Sequence, residues 1–117
     1  MESKIFDLED RTFEFARRIR KFIKSLKKTI CNLDDCRQLI KASGSVGANY
    51  IEANESLSKK DFLMRIKISR KEAKESAYWL RLLEPDNPDA DHEWNDLLQE
   101  SRELMNIFGA IVRKSEK

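Results

Sequence analysis

The sequence predicts an all-α protein, an up-down-up-down antiparallel four-helix bundle that occupies residues 1–117 as a single domain. Apolar residues recur every three or four positions in four separate segments, which is the period of helices that bury one face. Only three glycines and two prolines occur in 117 residues, and 38% of the residues are charged, a composition typical of helical bundles. Because the breaks between segments are short, consecutive helices are expected to run side by side in opposite directions.

The first helix is expected to run from near Asp7 to near Lys28. Its apolar stripe steps by four and three residues and consists of Leu8, Thr12, Phe15, Ile19, Phe22, Leu26 and Ile30. The second half of this segment, Arg17 to Lys28, carries seven basic side chains and no acidic one, whereas Glu84 to Glu103 carries eight acids and one base. Segregated charge of this kind orients a partner or pairs neighbouring subunits.

The second helix is expected from about Asp34 to Ser56. The residues from Asn32 to Asp35 include types that commonly cap a helix N-terminus. Two glycines, Gly44 and Gly47, stand in the middle of this helix, where each costs roughly 1 kcal/mol relative to alanine. That cost predicts that a neighbouring helix packs closely at both glycines.

The third helix has the clearest start, because Ser58 followed by Asp61 is close to a capping box. It carries two apolar stripes, the first being Phe62, Ile66, Ser69, Ala73, Ala77, Leu80 and Leu83, and the second Met64, Ile68, Trp79 and Leu82. The second stripe predicts either a broad core or an interface with another subunit. Two prolines between residues 84 and 89 end this helix. The fourth stripe is Trp94, Leu97, Leu98, Ser101, Leu104, Met105, Phe108, Ile111 and Val112.

Several classes of function lack their sequence signatures. No apolar run approaches about 20 residues, which excludes a membrane span, and no secretory signal opens the chain, so a cytoplasmic protein is expected. Cys31 and Cys36 are five residues apart, unlike a zinc or redox motif, and are expected to be reduced thiols. There is no catalytic triad, glycine-rich phosphate loop or Glu-x-x-His motif, and the single histidine, His92, is expected to be solvated. We therefore predict a non-enzymatic protein without cofactor or metal.

Two basic sets are candidates for nucleic-acid binding, because lysine and arginine release condensed counterions from phosphates. The first helix contributes Arg17, Arg18, Arg20, Lys21, Lys24, Lys27 and Lys28, and the third contributes Lys59, Lys60, Arg65, Lys67, Arg70, Lys71 and Lys74. The alternative is a protein-protein adaptor without nucleic-acid binding. In that case the basic surface docks an acidic partner, such as the fourth helix of an adjacent chain.

About half of the chain carries a pattern specific to one protein family. It consists of Gln38, Ala42, Ser43, Ser45, Val46, Ala48, Asn49, Tyr50, Glu52, Ala53, Ser58, Lys59, Asp61, Phe62, Lys71, Glu72, Glu75, Tyr78, Trp79 and Leu80. This pattern resembles the bacterial proteins encoded in intervening sequences of 23S rRNA genes, the S23 family. The sequence departs from the commonest family pattern at Asn54, where a glycine often stands, so the second helix is expected to run straighter or end later.

The resemblance implies a four-helix bundle, a homo-oligomer with five subunits as the specific expectation, and no enzymatic activity. The same superfamily includes the accessory protein of diversity-generating retroelements, a pentameric bundle that binds nucleic acid and a reverse transcriptase. The implied partners are therefore other copies of the chain, RNA or DNA, and a reverse transcriptase or another protein.

The resemblance also singles out four polar residues, Asn49, Glu52, Glu72 and Glu75. Asn49 and Glu52 are three residues apart and share one face of the second helix. Their surroundings are apolar or small, and a buried polar group needs a partner. We expect Glu52 to be buried and the four residues to form a structural hydrogen-bond network between the second and third helices.

Overall fold

The computed structural model describes residues 7–83, 85 and 88–116. Within them the chain forms four helices, α1 (Leu8–Lys24), α2 (Ile30–Asn54), α3 (Lys59–Leu82) and α4 (Pro88–Ser115). Each helix packs against its neighbours in the order α1, α2, α3, α4 and back to α1, with the most extensive contact between α2 and α3. Helices α1 and α3 therefore occupy diagonal corners of the bundle.

Contacts between side chains show that every neighbouring pair is antiparallel. Asn54 at the end of α2 donates to Glu9 at the start of α1, and Arg65 early in α3 donates to Asn49 late in α2. Trp94 early in α4 donates to the Leu80 carbonyl late in α3. The α1–α4 pair is antiparallel as well, because Arg11 early in α1 contacts Glu103, whereas Arg18 later in α1 contacts Glu93 nearer the start of α4. The predicted up-down-up-down bundle is confirmed.

The ends of α1 and α2 differ from the predicted ends. Helix α1 ends at Lys24, because the hydroxyl of Ser25 and the ammonium of Lys28 donate to carbonyls of its last turn. Thr29 then caps α2, since its hydroxyl accepts from the Asn32 amide at 3.1 Å. The prediction of a cap between Asn32 and Asp35 is wrong, because α1 ends about four residues earlier than the pattern indicated and α2 begins correspondingly earlier. Helix α2 ends at Asn54 and not later.

The other predicted boundaries agree with the structure. The Ser58 hydroxyl accepts from the Asp61 amide at 3.1 Å, so the predicted cap of α3 is confirmed. Helix α4 begins at Pro88. Proline is favoured at the first position of a helix, because the backbone N–H that it lacks would have no partner within the helix there. Residues 84, 86 and 87 of the predicted proline break lie outside the described residues.

The core lies along the bundle axis and contains residues from all four predicted stripes. The prediction for Ile30 is wrong, because α1 ends at Lys24 and Ile30 is the exposed first residue of α2. Its largest fully buried side chains are Phe15, Phe108, Ile19, Leu39, Ile66, Leu80, Leu83, Leu97 and Leu104. Of the second α3 stripe, Trp79 packs against this core, whereas Met64 and Leu82 stay exposed. A broad core therefore does not account for the whole stripe.

The two glycines of α2 have different surroundings. A methyl group on Gly47 would lie 2.8 Å from the Thr12 hydroxyl oxygen, so α1 and α2 approach closely there, as predicted. A methyl group on Gly44 would meet only the end of the Arg20 side chain, at 3.5 Å. The prediction of close helix packing at Gly44 is wrong, because α1 presents a flexible arginine at that level.

Candidate functional site

The basic residues of α1 are largely engaged within the molecule. Arg18 donates to Glu93 of α4 at 3.1 Å, and this hydrogen bond raises the pKa of the guanidinium. Arg17 pairs with Glu14 of the preceding turn at 2.8 Å, and Lys28 donates to the carbonyls that end α1. The side chains of this set that have no such partner among the described residues are Lys21, Lys24 and Lys27.

The acidic residues of α4 are engaged by α1 of the same chain. Arg11 donates to both carboxylate oxygens of Glu100 at 2.8 Å and to Glu103 at 2.8 Å. The bond to Glu100 raises the pKa of Arg11, and bonds from Gln99 and Arg11 lower the pKa of Glu103. Arg11 and Arg18 of α1 therefore form an intramolecular seam with glutamates of α4, and Arg18 is the residue of the basic segment that contributes to it.

The predicted sets on α1 and α3 do not form one surface, since these helices are diagonal. On α3, exposed residues repeat at intervals of three and four along its outer side, namely Lys60, Met64, Lys67, Lys71, Lys74 and Tyr78. Lys67 pairs with Glu116 at 3.3 Å, with both side chains about half exposed. Lysine ammonium groups thus follow α3 along most of its length.

Arginines of α4 join this stripe, although none of them was among the predicted site residues. Arg113 and Arg70 of α3 both reach Gly109, where a methyl group would lie 3.4 Å from Arg113 Nη1 and 3.8 Å from Arg70 Nε. Nearer the other end of α3, Arg81 and Arg102 line one cleft. We call this surface the α3/α4 basic face, which consists of Lys67, Arg70, Lys71, Lys74, Arg81, Arg102 and Arg113. Only the antiparallel pairing of α3 with α4 identifies it, because Arg102 stands alone in an acidic segment of the sequence.

The four polar residues of the expected network are placed differently from one another. Asn49 connects α2 to α3, because its Oδ1 accepts from Arg65 Nη1 at 3.0 Å while its Nδ2 donates to the Ser45 carbonyl at 2.9 Å. Glu52 is exposed, and its carboxylate has no partner among the described residues. The prediction that Glu52 is buried is wrong, because residues three apart on a helix are offset by about 60°, and this offset leaves Glu52 exposed while Asn49 contacts α3. Arg65, which the sequence analysis did not assign to the network, is the partner on α3.

Glu72 and Glu75 lie half-buried in the middle of α3. Burial raises the pKa of Glu72, the neighbouring Glu75 carboxylate raises it further, and Lys71 opposes both effects. The ionised Glu72 carboxylate is therefore less stable in the folded protein than in the unfolded chain.

A pH-dependent stability follows from Glu72. Because the pKa of Glu72 is higher in the folded state, protonation of this carboxyl favours folding. The ionised carboxylate therefore lowers the free energy of unfolding above the folded pKa, and this loss disappears as the pH falls below that pKa. We expect Glu72→Gln to raise the melting temperature at pH 7, and this gain to shrink toward pH 4. Thermal melts across this range test it, with Glu55→Gln, an exposed site in the same chain, as the control. An equal gain in both variants, or a gain independent of pH, would contradict the assignment.

A second surface feature is a groove between α1 and α2, with a volume of about 420 Å³. The groove is lined by the small residues Ala16, Gly44, Gly47 and Ala48 and by the large apolar side chains of Phe13 and Ile51. Phe13 is 64% exposed, which is unusual for a phenylalanine. We call this feature the α1/α2 groove.

The described residues hold no cluster of three or more histidine, cysteine, aspartate or glutamate side chains that suits a metal ion. Cys31 is exposed and Cys36 is buried, both as free thiols, and burial raises the pKa of Cys36. His92 is exposed on α4, 3.3 Å from Asp96. In the described part of the chain no helix combines the length and apolar character needed to cross a membrane.

Comparison with known proteins identifies the family. The sequence profile of the 23S rRNA-intervening sequence proteins matches residues 6–110, nearly the whole bundle. The chain belongs to the 23S rRNA-intervening sequence protein family. A crystal structure from the S23 ribosomal protein family, a protein of unknown function from Bacteroides thetaiotaomicron, is similar to this chain with a TM-score of 0.76 and 29% identity. The match covers 89% of this chain and 96% of that one. A search of curated proteins found no match.

Membership of this intervening-sequence family confirms the resemblance found in the sequence. The family match begins at residue 6 and ends at residue 110, so it includes α1, the α1/α2 groove and most of the α3/α4 basic face. Arg113 lies beyond the matched residues. The surfaces described above therefore belong mainly to the part of the chain that the family shares.

Proposed function

We propose that this protein is a non-enzymatic, self-associating scaffold that binds RNA or DNA through the α3/α4 basic face. The observation that carries the proposal is the convergence of lysines and arginines from two antiparallel helices on one side of the bundle. Among the described residues, the acid that pairs with this face is Glu116, at the end of the chain. A surface with this excess of positive charge attracts a polyanion.

The chemistry of the face suits a nucleic-acid backbone. Lys67, Lys71 and Lys74 succeed one another at intervals of about 6 and 4.5 Å along the helix axis, given a rise of 1.5 Å per residue. All three side chains are exposed, so they reach phosphates without loss of internal contacts other than the exposed Lys67–Glu116 pair. Binding of this kind depends on counterion release and is largely independent of sequence.

The α1 set is a weaker candidate than the sequence indicated. Arg18 and Arg17 are paired with glutamates, and Lys28 caps its own helix. Using these residues for phosphates would break contacts that the folded chain already makes. We therefore assign the principal contact to α3 and α4 and a minor role to the exposed lysines of α1.

The alternative is an adaptor that docks a protein, such as a reverse transcriptase or a neighbouring chain, without binding nucleic acid. In its simplest form the basic surface meets the acidic side of α4 of another copy. Glu93 and Glu100 of α4 are already paired with Arg18 and Arg11 of their own chain, which leaves less acidic charge for that contact. This intramolecular pairing favours nucleic acid as the ligand of the free basic face.

A salt series tests the proposal. Labelled RNA and DNA oligonucleotides are titrated with wild type and with Lys67→Gln/Lys71→Gln/Lys74→Gln. The control is Lys21→Gln/Lys24→Gln/Lys27→Gln, which loses the same charge from α1 and the turn that follows it. We expect the wild type to show a linear fall of log affinity with log salt. The magnitude of the slope of log affinity against log salt should fall by roughly 2 to 3 in the α3 variant and by less than about 1 in the α1 variant. Equal effects of both variants, or no binding by wild type near physiological salt, would contradict the proposal.

Self-association is assigned to the α1/α2 groove, with a second copy of this chain as the occupant. The groove is lined by Arg20 at one end and Glu9 at the other. On α2 the exposed Lys41 is one turn before Gly44 and the exposed Glu55 one turn after Ile51, so they extend the basic and the acidic end, respectively. Because α1 and α2 are antiparallel, like charges collect at each end. Two copies are therefore able to place the acidic end of one against the basic end of the other while covering Phe13.

Light scattering across a dilution series tests the self-association. We expect a mass that is a multiple of 13.8 kDa. Contact between the grooves of two copies gives a dimer, whereas the five copies implied by the family resemblance require the groove to contact a different surface of the next copy. Phe13→Ser/Ile51→Ser should lower the mass toward one copy, whereas Met64→Ser/Leu82→Ser, which removes the exposed part of the second α3 stripe, should not. A monomeric wild type would refute self-association, and dissociation by the α3 variant alone would place the interface on α3.

A further inference from the structure

We infer that the cleft at one end of the α3/α4 basic face binds an unpaired nucleobase, so that the nucleic acid bound there is single-stranded. The inference rests on the proposed nucleic-acid binding and deepens it. The cleft lies between the last turns of α3 and the first half of α4 and has a volume of about 300 Å³. Its lining residues are Tyr78, Arg81, Leu82, Trp94, Leu98 and Arg102.

The aromatic side chains of the cleft are held in place and still accessible. Tyr78 is 53% exposed, and its ring meets Trp79 edge to face at 5.0 Å between centroids, so that its outer surface remains open to a ligand. Trp94 donates from Nε1 to the Leu80 carbonyl at 2.6 Å, which satisfies the polar edge of the indole and fixes the ring. Leu98, nearly buried, supplies an apolar floor between them.

The charge around the cleft suits the phosphates that flank a base. Arg81 and Arg102 approach it from different helices, and neither has a carboxylate partner among the described residues. Lys74 is one helical turn before Tyr78 and continues the stripe toward Lys71 and Lys67. A track of ammonium groups therefore leads to a site with an aromatic ring and two guanidinium groups, the combination by which proteins bind single strands.

This combination discriminates between single and double strands. In a duplex, bases are stacked on one another and expose only their edges, so a protein ring is unable to stack on them. A duplex would use the lysines and arginines of the face but would gain nothing from Tyr78. An unpaired base has a free ring face for Tyr78 and a phosphate on each side for the arginines.

The experiment compares three ligands of equal length near physiological salt, namely single-stranded oligo(dT), a blunt DNA duplex, and a single strand with abasic sites in place of bases. We expect wild type to bind oligo(dT) more tightly than the abasic strand. Tyr78→Ala should weaken oligo(dT) binding by about 5- to 150-fold, the range of one lost base stack, and change duplex and abasic binding by less than about 2-fold. Tyr78→Phe, which keeps the ring, should bind as wild type does.

The outcomes separate this inference from the proposed function. Binding of all three ligands with no selective effect of Tyr78→Ala would overturn the inference and leave phosphate binding by the basic face intact. Binding of none of the ligands by wild type would overturn both. Because Tyr78 is exposed, Tyr78→Ala is expected to keep the melting temperature of wild type, and a circular-dichroism melt checks that its loss of affinity is not a loss of fold.

Discussion

Leu104→Ala is expected to lower the free energy of unfolding by about 2 to 5 kcal/mol, because it removes buried methyl groups and leaves a cavity. Leu104 is fully buried in α4 and belongs to the cluster that contains Phe108 and Leu97. The neighbouring side chains come from packed helices and are able to collapse into the space only in part. Urea unfolding followed by circular dichroism measures the loss.

Leu57→Ala is the matched control for that change. Leu57 lies between α2 and α3 and is fully exposed, so the same substitution there should change the free energy of unfolding by less than about 0.5 kcal/mol. A similar loss in the two variants would contradict the placement of Leu104 in the core or of Leu57 at the surface.

Gly47→Ala is expected to destabilise the bundle, although alanine is the better helix former. The new methyl group would lie 2.8 Å from the Thr12 hydroxyl oxygen and 3.2 Å from Thr12 Cβ. Thr12 is buried and its hydroxyl donates to the Leu8 and Glu9 carbonyls, so it has little room to move. The overpacking costs about 1 to 3 kcal/mol and outweighs a propensity gain of about 1 kcal/mol.

Gly44→Ala, three residues away on the same helix, should raise the free energy of unfolding, whereas Gly47→Ala should lower it. Its methyl group meets only the mobile end of Arg20, so the gain in helix propensity of about 1 kcal/mol remains. Unfolding curves of the two variants should therefore differ by about 2 kcal/mol. The explanation fails if Gly47→Ala is as stable as Gly44→Ala. Thr12→Ala in the Gly47→Ala background should restore part of the loss, because it removes the nearest atom.

The two proposed surfaces lie on opposite sides of the bundle. The helices follow one another around the bundle, so the α1–α2 pair is opposite the α3–α4 pair. Copies joined through the α1/α2 groove would keep their α3/α4 basic faces accessible. An assembly of this kind would present several basic faces to one strand, and linked sites bind a common ligand more tightly than separate ones.

The residues of the helices and of the core were predictable because local periodicity determines which face of a helix is apolar. The stripe from Leu8 to Phe22 and the stripe from Trp94 to Val112 both face the core as predicted. The cap at Ser58 was predictable for the same reason, since it depends on residues within one turn. The end of α1 was not predictable in this way. The Lys28 ammonium donates to the Ile23 and Leu26 carbonyls, and a pattern of apolar residues does not indicate such hydrogen bonds.

The sequence by itself determined the family, the four helices and the presence of clustered charge. Only the tertiary structure decided which charges are available to a partner. Arg18 and Glu93 are 75 positions apart in the chain and form an ion pair. Arg81 and Arg102 are brought to one cleft, and no carboxylate is among the described residues that line it. The periodicity of the sequence describes each helix separately. Whether a charged side chain forms an ion pair depends on how the helices are rotated and which of them are neighbours. For that reason the exposed Glu52 and the basic contribution of α4 became visible only in the folded chain.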